Sequence, residues 1–357
     1  MNEKLRFCAP FKAFMILLVI LGHSCIIYTG YWSAFPAAIN ASCFDFLVKW
    51  LDTFHTYAFV FVSGYIFYNL KYVQGKYDDN RDFIKKKFRR LIIPYGVVCA
   101  FWAIPIWVIV QGWDVHVLTT KYLFGENADQ LWFLLMLFWV FVLTVVLLKI
   151  VPFDKLKWFG MIGFFWGGTF LLYIFSVGLN AFQIPNLFRI ISALEYEMYF
   201  VAGMIYGKAQ KEKKQFLVER KVLFYFIEGI LVFVSLFGAF LYNYRFHGMS
   251  KYLVFPFCSF SGILFFIFLV QRVCHNGNVK LGERKNSLMM RGWNFLVENS
   301  FYIYLIHQQL IYLTLKVINI PNMPPMLVVV MNFIIALLGS GIIWTIILNV
   351  SSYFTKR

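Results

Sequence analysis

Charge is what this sequence has least of. Only 14% of its 357 residues are Asp, Glu, Lys or Arg, and just 17 of them are acidic. Soluble globular domains carry about a quarter of their residues as charges, so that class is excluded. Cysteine is scarce too. Cys8, Cys25, Cys43, Cys99, Cys258 and Cys274 include no CxxC pair, and no His/Cys run has metal-ligand spacing. Neither a metal site nor a disulfide framework is expected. Cys25 and Cys43 are the pair that the predicted topology places on a common side. Serine nucleophile signatures are missing as well, with no GxSxG elbow and no Ser/His/Asp pattern. No internal inverted repeat stands out, and no stretch between apolar runs is long enough to fold on its own. The first apolar run is too long for a signal-peptide core and carries its own polar residues, so it is expected to be retained.

What the chain has instead is apolar surface: 61% of residues are hydrophobic and 21% aromatic. Ten runs are long enough to cross a bilayer, at about 8–28, 46–70, 91–111, 131–150, 158–178, 187–207, 222–243, 252–271, 296–318 and 325–350. Only helices satisfy their own backbone in lipid at these lengths. The expected fold is all-α, a polytopic integral membrane bundle of about ten transmembrane helices, with residues 1–357 forming one domain. Its surroundings are membrane lipids.

The formal net charge of +16 raises nucleic acid as a partner, but its placement argues against one. Twenty-six of the 33 Lys and Arg fall in the first residues, the loops at 71–90, 149–157, 208–221 and 272–291, and the final dipeptide. The alternate loops hold only Lys121, Arg245 and Lys251. This asymmetry is the positive-inside pattern, and it puts both termini in the cytoplasm. Lys49, Arg189 and Lys316 lie near outer ends and are expected to snorkel. Asn40-Ala41-Ser42 matches a glycosylation acceptor, a short pattern that arises easily by accident.

Against this background, intramembrane polar groups are functional candidates. Lys12 and His23 are eleven residues apart in the first run, about three helical turns, so they share nearly one face about 16 Å apart along the axis. His55 falls at a depth similar to His23, and His307 near the middle of its run. Glu195 and Glu197 lie about nine residues into theirs; two apart on a helix, at most one faces His23. Three histidines and a carboxylate at matched depth are the parts of a buried acid/base cluster, although a single buried histidine is as readily a bridge between helices. At the cytoplasmic side, Phe83-Ile84-Lys85-Lys86-Lys87-Phe88-Arg89-Arg90-Leu91 reads as a surface helix with an apolar stripe of Ile84, Phe88 and Leu91. Its Lys86, Arg89 and Arg90 are candidates to grip phosphate groups; headgroup contact is the plainer alternative. Trp132 opens its run at the outer end, where an interfacial anchor is expected.

These stretches, in order, resemble the membrane acyltransferases of acyltransferase family 3. The resemblance rests on Lys12 with His23, Phe54-His55 through Ser63-Gly64-Tyr65, Arg89-Arg90-Leu91-Ile92-Ile93-Pro94-Tyr95, Leu131-Trp132-Phe133-Leu134, Tyr199 through Gly203-Met204, and Ser300 through His307. Where the family often has an Arg, an acidic residue and a histidine, this chain has Lys12, Ala9 and Gln130. The resemblance implies transfer of an acyl group, usually acetyl, from acetyl-CoA or another acyl-CoA to a sugar hydroxyl of a surface glycan or its lipid-linked precursor. It implies a catalytic role for His23; the residues themselves suggest that one of Glu195, Glu197 or His307 orients it. Lys12, His55 and Trp132 would line the substrate path, and Lys86, Arg89 and Arg90 the CoA side. The rival class is a carrier or flippase exporting a saccharide or an acylated product from the inner membrane.

Overall fold

In lipid, a backbone amide or carbonyl that is not bonded within its own segment has no water to turn to. The computed structural model describes residues 5–29, 41–77, 79–212, 221–276, 288–317 and 323–355, and these form helices, turns and no strand. In chain order the α-helices are α1 (Cys8–Cys25), α2 (Ser42–Asp52), α3 (His55–Tyr68), α4 (Asn80–Val98), α5 (Ile104–Gln111), α6 (Val115–Leu118), α7 (Trp132–Ile150), α8 (Trp158–Met161), α9 (Gly168–Ala181), α10 (Ile190–Lys211), α11 (Lys221–Tyr244), α12 (Met249–Asn276), α13 (Leu288–Val317) and α14 (Pro325–Thr355). The protein is an all-α polytopic helix bundle.

Seven helical stretches among the described residues are long and apolar enough to cross a membrane by length and composition: Cys8–Thr29, Asn80–Gln111, Asp129–Ile150, Trp158–Ala181, Tyr225–Tyr244, Met249–Cys274 and Pro325–Val350. The other expected runs are helical as well. α10 carries Glu195, Glu197, Lys208 and Lys211, and α13 carries His307, Gln308 and Gln309. The run expected at 46–70 is not one helix. It breaks at Thr53–Phe54, where backbone bonds tighten from Thr53 N to Trp50 O and from Phe54 N to Leu51 O. The carbonyl of Leu51 also accepts from His55 Nδ1 at 2.5 Å, so the imidazole caps the end of α2.

α4 departs from expectation in a second way. It is not a surface helix that precedes a span. It runs through Pro94 into a wide π-helical turn at Cys99–Ala103 and on into α5, a continuous 32-residue stretch. Its buried stripe is Phe83, Leu91 and Tyr95, whereas Phe88 is exposed. Loop-end cations have protein partners. Lys49 pairs with Asp45 at 2.7 Å, and Lys316 donates to the carbonyls of Ile109 and Val110. All six cysteines are free thiols, including Cys25 and Cys43. The Asn40 acceptor pattern lies outside the described residues.

α1 sits at the centre, packed against α2, α3, α13 and α14. Without a hydrophobic force between apolar helices in lipid, close van der Waals contact must hold such a bundle, and small residues permit it. The α3–α10 crossing shows this most directly. A Cβ on Gly64 would lie 1.9 Å from the carbonyl oxygen of Phe200, and one on Gly203 would lie 1.9 Å from that of Phe61. Both obstacles are backbone, so neither can swing aside. Gly203→Ala is expected to cost about 1–3 kcal/mol through this overlap and to lower the thermal midpoint of the detergent-solubilised protein. Gly96→Ala, where a new Cβ meets nothing within 4 Å, is the matched control and should hold or slightly raise the midpoint. An unchanged midpoint for Gly203→Ala would contradict the packing described.

Candidate functional site

α1, α3, α4, α7 and α13 enclose a cavity of about 710 Å³. One end is lined by Lys12, Lys87 and Arg90, and the other by His23, His55, Gln130 and Trp132. The wall between them is apolar, with Ile16, Val19, Leu134 and Leu137. Lys12 and His23 lie on one face of α1 about three turns apart, so the cavity follows that helix for about 16 Å. Three cations converge at one end, which suits a polyanion; a long apolar throat leads from there to an imidazole.

That imidazole is held by another. His23 Nδ1 lies 2.9 Å from His307 Nε2, with the ring planes nearly parallel at 8°. His307 is wholly buried, and its Nδ1 lies 2.7 Å from the carbonyl oxygen of Tyr304. A carbonyl only accepts, so His307 Nδ1 carries the proton. A neutral imidazole has one N–H, which makes His307 Nε2 an acceptor. His23 Nδ1 must then donate to it, and the lone pair of His23 falls on Nε2. The chain of bonds from Tyr304 O through His307 to His23 thus fixes the tautomer a general base needs. His55 has the same logic: its Nδ1 donates to Leu51 O, which leaves the lone pair on Nε2.

α13 is anchored so that this geometry holds. The carbonyl of Leu305 accepts from Gln130 Nε2 at 2.9 Å, and that of Ile306 from Trp102 Nε1 at 3.2 Å. Tyr304 OH donates to the backbone carbonyl of Gln130, and the Gln130 and Gln309 amides bond each other both ways. The preceding residue, Asp129, adopts a left-handed φ of 46° and accepts from Tyr122 and Tyr312 while pairing with Lys121 at 2.6 Å. A segment that buries an ion pair at a strained backbone position is held in one arrangement by its surroundings. The glutamine at position 130 therefore serves α13 rather than lying loose in the cavity.

A family model described as an acyltransferase domain, Acyl_transf_3, matches residues 11–345. This chain belongs to acyltransferase family 3. No curated protein and no solved structure matches it. The family assignment makes the protein a multi-pass membrane acyltransferase.

Within this acyltransferase, the expected site residues divide. The structure brings Lys12, His23, His55, Trp132 and Arg90 to one cavity, with His307 bonded to His23 behind its wall. Lys86 and Arg89 are not part of its lining. They sit on the exposed side of α4, with Lys86 3.8 Å from Asp82, because the buried stripe of that helix is turned one position from the expected one. Lys87 takes their place, its ammonium 3.9 Å over the ring of Phe141. The carboxylates differ from expectation too. Glu195 accepts from Tyr57 OH at 2.6 Å and lines a second cavity, and Glu197 accepts from Thr144 at 2.7 Å and lines neither. Of the three groups proposed to orient His23, the geometry selects His307. Trp132 faces inward as well. It carries the Arg189 guanidinium 5.3 Å over its ring, and Arg189 also donates to Gly125 O.

Sequence reasoning missed Lys87, Asp52 and Glu298, all in the lining. Lys87 had a signal: it lies four residues after Phe83 and four before Leu91, the two buried residues of its face. Asp52 had one in its position three residues before His55.

The tautomer assignment is directly testable. In selectively labelled protein, the nitrogen-15 spectrum of His23 is expected to show a protonated Nδ1 and an unprotonated Nε2. His307→Phe should release that preference. A spectrum with the proton on His23 Nε2 in the unaltered protein would contradict the bond chain.

Proposed function

We propose that this acyltransferase transfers an acyl group, acetyl in the simplest case, from cytoplasmic acyl-CoA to a hydroxyl of a surface polysaccharide or its lipid-linked precursor, in the cytoplasmic membrane. The observation that carries this reading is the single cavity with cations at one end and a tautomer-fixed imidazole at the other. Acyl-CoA has the matching shape: a polyanionic nucleotide end and a thin, mostly apolar arm that ends in the thioester. Lys12, Lys87 and Arg90 hold the phosphates, with Arg90 able to engage one through two parallel bonds. The arm threads the apolar throat and delivers the thioester to His23.

Transfer is direct. His23 Nε2 takes the proton of the acceptor hydroxyl as its oxygen attacks the thioester carbonyl carbon. The resulting imidazolium is stabilised by His307, which accepts from its Nδ1–H. When the tetrahedral intermediate collapses, the carbon–sulfur bond breaks and the sulfur leaves with the proton from His23. The products are an ester and CoA thiol, and no proton is gained or lost. A general base of this kind contributes about 10²–10⁴-fold, and positioning two substrates in one cavity contributes the rest.

Two tests follow from this arrangement. His23→Ala, expressed at the normal level, should abolish transfer of radiolabel from acetyl-CoA to glycan; undiminished labelling removes His23 from the mechanism. Lys87→Ala and Arg90→Ala should each raise the KM for acetyl-CoA about tenfold, the loss of one charge-assisted contact. Lys86→Ala and Arg89→Ala, on the solvated face, should change it less than about twofold, since exposed charges are screened. Equal effects of all four would mean that the helix attracts CoA by charge alone and that the cavity mouth is not the donor site.

A further inference from the structure

A second cavity, of about 350 Å³, adjoins the histidine end of the first. Helix ends from four parts of the chain build it: the α2–α3 break, the end of α9, the start of α10 and the α11–α12 turn. Asp52 lines both cavities. The wall between them is a pair of stacked rings, Tyr57 on the second side and Tyr196 on the first, with centroids 4.3 Å apart and planes at 4°. Beside that stack, His55 Nδ1 lies 3.8 Å from the Asp52 carboxylate. The two chambers are therefore neighbours that share an edge.

Their linings differ in kind. The first has an apolar throat. The second presents Asp52, Glu195, Asn180 and Asn243 among tyrosine rings. Its charges are largely answered within the protein: Lys49 pairs with Asp45 at 2.7 Å, and the Lys251 ammonium sits 4.5 Å over the Tyr242 ring. The two carboxylates and two lysines of the lining cancel, so it offers no net charge to hold a phosphate or another anion. The density of polar groups disfavours an acyl chain or a pantetheine arm. What remains is a neutral, hydroxyl-rich ring. Carboxylates and amides accept and donate to vicinal hydroxyls, and tyrosine faces cover the apolar face of a sugar ring.

We propose that this second cavity is a saccharide subsite. It holds a neutral sugar unit of the acceptor while the adjoining unit reaches past Asp52 and offers its hydroxyl to His23. The proposal rests on the acyl-transfer reading above and adds a register to it: the effective acceptor spans at least two sugar units, of which the one in the second cavity is not acylated. Glu195, Asn180 and Asn243 bind that unit and do not touch the reacting atoms.

The test uses the full-length protein in nanodiscs with radiolabelled acetyl-CoA. The acceptor probe is surface glycan of the source cells, stripped of its esters by alkali, partly hydrolysed by acid and separated into monosaccharide, disaccharide and longer fractions. With the unaltered protein, kcat/KM should rise at least about tenfold from monosaccharide to disaccharide, the effect of a few hydrogen bonds to charged and amide groups. Glu195→Gln and, on the opposite wall, Asn180→Ala should remove most of that rise through KM for the disaccharide, with kcat and the KM for acetyl-CoA held. Asn180→Ala leaves the Tyr57–Glu195 bond in place, so misfolding of the first variant does not decide the matter. Equal use of monosaccharide and disaccharide by the unaltered protein, or an unchanged disaccharide KM in Asn180→Ala, overturns the subsite. Failure of the unaltered protein to acylate any fraction overturns the saccharide-acceptor reading itself.

Discussion

One imidazole hydrogen-bonded to another, deep among apolar helices, is the contact that the rest of this structure serves. Two histidines in a bundle interior are costly to bury unless every ring nitrogen has a role. Here the roles are distributed in order. A helix carbonyl, that of Tyr304, sets the proton on His307, His307 sets it on His23, and the lone pair of His23 falls on Nε2, the nitrogen proposed above as the base. The arrangement does without a carboxylate. A neutral partner that accepts one bond fixes the tautomer and does not hold the imidazolium so strongly that it would retain the proton. That property suits the proposed reaction, in which the proton is taken from one substrate and given to the other.

The supporting layer follows from that need. α13 carries His307 on a segment whose successive carbonyls at Tyr304, Leu305 and Ile306 each accept a side-chain donor. Gln130 and Asp129, just ahead of α7, tie α13 to the loop through amides, tyrosines and a half-buried lysine. On the other side, the α2–α3 break places Asp52 and His55 at the chamber wall, with backbone groups freed by the break met by the His55 and Ser259 side chains. Irregular backbone within a membrane bundle is tolerated where it lines a cavity or is satisfied by neighbours, and both hold here.

Much of this was legible from residue spacing alone. Lys12 and His23 on one helical face, and the concentration of cations on alternate loops, required only helix geometry and the positive-inside rule. The fold class required only composition. Depth matching brought His307 forward but could not rank it above Glu195 or Glu197, because depth says nothing of the rotation of α10 about its axis. The rotation of α4 was equally hidden. Its sequence offers two apolar stripes, Ile84–Phe88–Leu91 and Phe83–Leu91–Tyr95, and only packing against α7 decides for the second, which exchanges Lys86 and Arg89 for Lys87. The break at Thr53 was concealed by a continuous apolar run; nothing in hydropathy marks a turn that is closed by a histidine and by a serine from a distant helix.

The account stands or falls on the donor occupying the cavity that follows α1. A cryo-electron microscopy structure of the protein with a non-transferable acyl-CoA analogue tests this most directly. The expected map places the phosphates against Lys12, Lys87 and Arg90 and the thioester carbon next to His23 Nε2, with His307 still bonded to Nδ1. Density for the analogue outside that cavity, or within it but with the acyl end remote from His23, would contradict the account.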